Sequence, residues 1–241
     1  MKIIAIDSSG LTASVAILED DCMIAEYSVN YKKTHSQTLL PMLDEISRMT
    51  ELDLKTVDCI AVAKGPGSFT GLRIGSSTAK GLGFALNLPI AEVPTTDALA
   101  YNLFGTDKLV CPLMDARRDQ VYTGLYDFTG GIEPVFNVIK PACALAIDEI
   151  IAEINSRNRE VIFLGDGVKA FKDRIVELTT VPFSFAAPGL MMQRASSVAA
   201  LGMQVFKEGK AVPASEHVPD YLRPSQAERT CGTPEEIRSN M

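Results

Sequence analysis

The sequence predicts an α/β protein of two duplicated lobes facing a cleft, each lobe reading β-β-β-α-β-α. Residues 1–105 read as three strands followed by alternating helices and strands, and residues 106–223 begin again with three extended segments before the next helix. Asp7 closes the first strand of the first half and Asp115 closes the first strand of the second. Each is followed by a second strand, whereas a doubly wound βαβ series expects a helix directly after its first strand, so that reading is the weaker one.

The elements follow from local pattern. KIIAIDSSG is a buried-strand run, TASVAILED alternates in part, and MIAEYSVNY follows the turn-like EDD. SQTLLPMLDEISRM places Leu39, Leu40, Leu43 and Ile46 at helical spacing, with Pro41 expected to be tolerated near the first turn. Cys59 to Ala63 reads as a strand, a glycine-rich turn follows, and Thr70 to Leu86 is a helix stopped by NLP before the strand IAEV. Thr95, Thr96 and Asp97 suit the cap of a third helix reaching about Phe104. In the second half KLVCPLMDA, QVYTGLYDF and EPVFNVIK are extended. A helix over about 146–155, the strand VIFLGDG, a helix over about 168–178, the short strand VPFSF and a long helix over about 191–207 complete it.

The expected organisation is therefore a lobe over 1–105, a lobe over 106–223, and a tail over 224–241, with the last long helix free to pack back on the first lobe. The tail's Pro, Ser, Thr and Glu suit a mobile segment, and PDYLR just before it suits a docked extended one; both readings stay open. This layout is similar to the actin-like, Hsp70-like and sugar-kinase-like (ASKHA) fold, in which nucleotide phosphates sit between the first hairpins of two facing lobes.

Composition narrows the function classes. The 241 residues are 46% hydrophobic and 22% charged, enough for a sizeable core. The apolar runs IIAI, CIAVA and VIFLG fall far short of a bilayer span, and the chain reads straight into a strand, so a cytoplasmic protein is expected. Five scattered cysteines without a CxxC pair suggest neither a disulfide framework nor a zinc knuckle. A net charge of -7 argues against autonomous nucleic-acid binding, which depends on Lys and Arg neutralising phosphates. Were RNA the substrate, another subunit would hold most of it.

Few residues form a chemical constellation. Asp7, Ser9 and Gly10 suit a phosphate-approaching hairpin and are the candidates for weak nucleotide binding. The second hairpin, Asp115-Ala116-Arg117-Arg118-Asp119, has no glycine, and its arginines suit an anion and the flanking carboxylates equally well. Gly165-Asp166-Gly167 suits a tight turn, or a place near an adenine. His35 and His217 lie far apart in sequence and form no metal-binding pair, so no metal and no cofactor are expected; His35 reads as a capping or surface residue. No GxSxG elbow is present.

The turn KGPGSFTGLRIG lacks the GxxxxGK[ST] pattern, and Arg73 sits where the helix dipole disfavours a cation unless an anion answers it. In the helix that follows, Gly71, Gly75, Ala79 and Gly83 recur every four residues and line one face, letting another backbone come close. Ile74, Thr78 and Leu82 on a neighbouring column are expected to bury against the sheet. The small-residue face reads either as internal packing or as a docking surface for another subunit.

IIAIDSS, HSQTLLPML, AKGPGSFTGLRIGSSTAKGLGFAL, DARRDQVY and PDYLR together resemble the TsaB (YeaZ) family, from the first strand to about Arg223. The resemblance implies a non-catalytic paralogue of TsaD acting in tRNA N6-threonylcarbamoyladenosine (t6A) synthesis. In that scheme TsaD carries the metal and transfers the threonylcarbamoyl group from threonylcarbamoyl-AMP to the adenosine beside the anticodon, and the ATPase TsaE joins the assembly. It also implies that the first two helices, here His35 to Met49 and Phe69 to Leu86, pair with the partner's equivalents, with Leu39, Leu43, Gly71, Arg73, Gly75, Ala79 and Gly83 as contact candidates. Self-association through the same helices is expected when the partner is absent. The alternatives are a weak nucleotide-binding regulatory module and a glycoprotease-like hydrolase.

Overall fold

The computed structural model describes residues 1–223. The expected tail over 224–241, with Cys231, lies outside the described residues. The first sheet holds β1 (Lys2–Asp7), β2 (Ala13–Glu19), β3 (Cys22–Val29), β4 (Cys59–Gly65) and β5 (Ile90–Pro94), ordered β3-β2-β1-β4-β5. The second holds β6 (Leu109–Asp115), β7 (Gln120–Thr129), β8 (Val135–Ala146), β9 (Val161–Leu164) and β10 (Phe183–Phe185), ordered β10-β9-β6-β7-β8. Read from its β8 edge, the second sheet repeats the order of the first. The duplication extends to direction: β1 runs antiparallel to β2 and parallel to β4, as β6 does to β7 and β9. This is the actin-like topology.

The helices are α1 (His35–Met49), α2 (Phe69–Leu86), α3 (Thr95–Tyr101), α4 (Ile147–Arg157), α5 (Gly167–Leu178) and α6 (Ala195–Lys207). α1 opens on a capping box in which Thr34 and Gln37 satisfy each other's backbone N–H. α2 is capped by Ser68, whose Oγ accepts from the Gly71 amide, and is closed by Asn87 in the left-handed region, so the NLP stop works through the asparagine. Pro41 stands in the second turn of α1, beyond the first-turn position expected for it, and leaves the Gln37 carbonyl without its intrahelical donor.

Alternation along β1 sorts the core of the first lobe. Ile3 and Ala5 point to one face and Ile4 and Ile6 to the other. The first face is lined by small side chains, Ala5, Ala16, Ala61 and Ala91, and α6 lies close across it. The second face is bulkier and receives Leu39, Met42, Leu43 and Ile46 of α1 together with Ala79 of α2. In the second sheet Ile147, Ile150, Ile151 and Ile154 of α4 cover one face, while Leu99 and Ala100 of α3 pack with Val110, Tyr126 and Phe128 on the other.

Three boundaries differ from expectation. α3 ends at Tyr101 rather than about Phe104, and Thr95 and Thr96 lie inside it, with Pro94 in the cap position. The Thr96 side chain faces the second sheet, where Tyr126 takes it. α6 begins at Ala195 rather than about Met191, because the chain from Pro188 to Leu190 forms a separate 3-10 turn and Arg194 is extended. β8 runs on to Ala146, well past the lysine that ended the expected strand.

Candidate interaction face and interlobe cleft

The cleft is a cavity of 780 Å³ with Ser9, Gly10 and Gly67 on one side and Met114, Ala116 and Asp166 on the other. On the first side, several polar groups of the expected hairpin bond within the protein. Asp7 is 1% exposed, and its Oδ1 accepts from both the amide (2.9 Å) and the hydroxyl (2.6 Å) of Ser9. The Ser9 carbonyl accepts from the Ser68 amide at 2.7 Å, and the Gly10 carbonyl lies 2.9 Å from His35 Nε2. His35, first residue of α1, thus ties that helix to the hairpin rather than capping it. Burial raises the Asp7 carboxyl to about 6 despite the two bonds from Ser9.

The opposite hairpin is held differently. Arg117, Arg118 and Asp119 all have φ in the left-handed region, at 63°, 55° and 57°, without a glycine among them. Asp115 Oδ1 accepts from the Arg117 amide at 2.7 Å, and its Oδ2 pairs with the Arg117 guanidinium at 3.2 Å. Of the two readings of these arginines, local pairing is the one seen at Arg117. Asp166, in the GDG turn, lies on the cleft wall, and burial together with the neighbouring Asp115 charge raises it to about 6. Among the described residues no group of three His, Cys, Asp or Glu side chains has metal-ligand geometry.

The small-residue column of α2 turns inward. A Cβ at Gly71 would overlap the Ser8 carbonyl oxygen, one at Gly75 would overlap Ser8 Oγ, and one at Gly83 would lie 2.8 Å from Ala214 Cβ. Ala79, Leu39 and Leu43 are buried in the core beneath α1 and α2. Six of the seven expected contact residues therefore pack on this chain's own atoms: Gly71 and Gly75 against the β1–β2 hairpin, Gly83 against Ala214, and Ala79, Leu39 and Leu43 in the core. Correspondingly, Ile74 and Leu82, expected to face the sheet, are only partly buried at its flank. The remaining candidate, Arg73, is exposed; its guanidinium sits 4.2 Å above the Phe69 ring, and its Nε lies 3.4 Å from the Tyr221 hydroxyl. Aromatic rings, not an anion, answer its charge near the helix start.

The outward face of the same two helices carries apolar residues that the small-residue pattern did not pick out. Leu40 is 55% exposed and Phe84 63% exposed. Thr70, Arg73, Ser77, Gly81 and Phe84 form the exposed column of α2. Between the helices runs an open groove of 490 Å³ lined by Leu39, Leu40, Phe69, Arg73, Ile74 and Thr78. The sequence pattern groups Leu40 with Leu39, Leu43 and Ile46; of these only Leu39, Leu43 and Ile46 are buried, and helical phase was the signal by which Leu40 could have been told apart.

Comparisons with known proteins bear on this arrangement. The family described as "TsaD: tRNA N6-adenosine threonylcarbamoyltransferase" matches residues 23–231. The tRNA threonylcarbamoyladenosine biosynthesis protein TsaB of Bacillus subtilis is 36% identical over 95% of this chain and 96% of its own length. TsaB of Escherichia coli is 30% identical over 92% of this chain and 95% of its own. Among solved structures, YeaZ from Pseudomonas aeruginosa superposes with a TM-score of 0.74 at 27% identity, covering 92% of this chain and 99% of that one. Among the described residues, no helix is long and apolar enough to cross a membrane. With near end-to-end matches in both sequence and shape, the chain belongs to the TsaB (YeaZ) family, a family of tRNA threonylcarbamoyladenosine biosynthesis proteins.

Proposed function

We propose that this chain is a non-catalytic subunit that binds TsaD through the outward face of α1 and α2 and supports threonylcarbamoyl transfer to tRNA within that assembly, in the cytoplasm. The observation that carries the reading is the exposed apolar face: Leu40 stands at the open groove between the two helices, and Phe84 stands on the exposed column of α2. Such a patch is what a helix-pairing partner covers. The cleft supports the same reading from the other side, since Asp7 and Ser9 are engaged with each other and Asp115 with Arg117. TsaE joins through the complex, and tRNA is reached only through TsaD. In the absence of TsaD, the same face pairs with a second copy by an isologous two-fold contact.

The test is sedimentation equilibrium of this chain with TsaD of the same organism, for wild type, Leu40→Asp and Phe84→Asp. Both substituted side chains are exposed, so both variants fold, as circular dichroism will verify. Loss of the heterodimer in both is the expected outcome. Undiminished pairing in both removes this face from the proposal, and absence of pairing in wild type removes TsaD as the direct partner.

A further inference from the structure

Among the described residues no helix follows α6, yet residues 212–223 are fastened at several points along their length. Val212 exchanges two backbone hydrogen bonds with Ile90 on the edge strand β5, at 2.8 and 2.9 Å. Lys80 of α2 donates to the carbonyls of Ser215 and His217, at 3.3 and 3.0 Å. His217 is 1% exposed, and its Nδ1 lies 2.7 Å from Glu92 Oε1, while Glu92 Oε2 pairs with Lys64 at 3.5 Å. The Asp220 amide donates to the Lys64 carbonyl at 2.7 Å. Gly65 follows, at φ 128°, where a Cβ would overlap the Asp220 carbonyl oxygen, so this glycine of the KGPGS turn makes room for the segment. Tyr221 packs against Phe69 with ring centroids 4.7 Å apart and planes tilted by 35°.

All these anchors belong to the first lobe. Two residues later the chain reaches the second: the Arg223 guanidinium donates to the Ala116 carbonyl at 2.8 Å. Ala116 opens the hairpin whose next three residues are all left-handed without glycine, a conformation that persists only where its surroundings hold it. Asp220, Tyr221, Leu222 and Arg223 also line the cleft.

We propose that residues 212–223 form a latch across the cleft mouth: fixed to β5, β4 and α2, they hook the Asp115–Asp119 hairpin through Arg223, setting the lobe separation and bracing the strained turn. Tyr221 is the pivot, because it fixes the last residues before the hook. The proposal makes an asymmetric prediction. Arg223→Ala frees only the hairpin, whereas Tyr221→Ala frees the hairpin and the Lys64–Phe69 turn together.

Hydrogen exchange of the full chain, read peptide by peptide by mass spectrometry, tests it. The expected result for Arg223→Ala is several-fold faster exchange over 114–121, with 64–69 and the β1–β2 core unchanged. Tyr221→Ala is expected to speed both segments and again spare the core. Unchanged exchange over 114–121 in Arg223→Ala overturns the latch, since that residue is partly exposed and its loss does not unfold the chain. Faster exchange spread over all peptides overturns it too, because Arg223 then serves the fold at large.

Discussion

Alanine substituted at three glycines of α2 separates packing against this chain from any role in partner docking. In a helix interior, alanine is favoured over glycine by about 1 kcal/mol. Gly81 is exposed and a Cβ there meets nothing within 4 Å, so Gly81→Ala realises that gain. At Gly83 the new methyl lies 2.8 Å from the Ala214 methyl and 3.1 Å from the Leu88 carbonyl oxygen. The Ala214 methyl and the Leu88 carbonyl move only with their backbone, so the strain outweighs the gain and Gly83→Ala is destabilising. At Gly71 the obstacle is the Ser8 backbone carbonyl, which moves only with the β1–β2 hairpin, and Ser8 Oγ also donates to the Gly71 carbonyl at 2.9 Å. Overpacking costs about 1–3 kcal/mol and a disturbed hydrogen bond about 1 kcal/mol more, so Gly71→Ala is destabilising by about 2 kcal/mol net. For a chain of this size 1 kcal/mol moves Tm by about 2–4 °C, so Gly81→Ala rises by a few degrees and Gly71→Ala falls by about 4–8 °C. Urea and thermal unfolding followed by circular dichroism read the series. Equal stability of Gly71→Ala and Gly81→Ala would refute the inward packing of the glycine column.

Further outcomes follow from the buried polar groups. Burial raises Asp7 and Asp166 to about 6 from the usual 3.8, so between about pH 4 and 6 the folded state holds protons that the unfolded state has released. Their contribution to stability is therefore greatest below about pH 4, declines as pH rises to about 6, and is flat above. Asp7→Asn with Asp166→Asn removes that decline, seen as a difference in urea unfolding between wild type and variant across pH 4–8; parallel curves would contradict it. The Tyr126 hydroxyl lies 2.8 Å from both Thr96 Oγ1 and Asp97 Oδ1, joining β7 to α3. Tyr126→Phe leaves both partners short of a bond in a buried site and lowers stability by about 1–3 kcal/mol, measured by denaturant melt; a change below about 0.5 kcal/mol counts against the bridge.

The duplicated order of strands and helices was legible in the amino-acid sequence alone, because each signal is local: apolar runs bounded by turns, leucines at helical spacing, asparagine after the last turn of α2. Asp7 and Asp115 could be matched for the same reason, each being the last residue of a strand that leads a sheet. What the sequence left open was the direction in which a given face points. A column of Gly71, Gly75, Ala79 and Gly83 states that something approaches closely, and its spacing is identical whether the approaching backbone is this chain's or a partner's. Tertiary structure supplied the answer by bringing Ser8 and Ala214 against that column from 63 and 131 residues away. The same long-range closure turned PDYLR from one of two open readings into a docked segment, since Arg223 finds Ala116 only when both lobes are assembled. Helical periodicity fixes which residues share a face; only the packing of distant chain decides which face is buried.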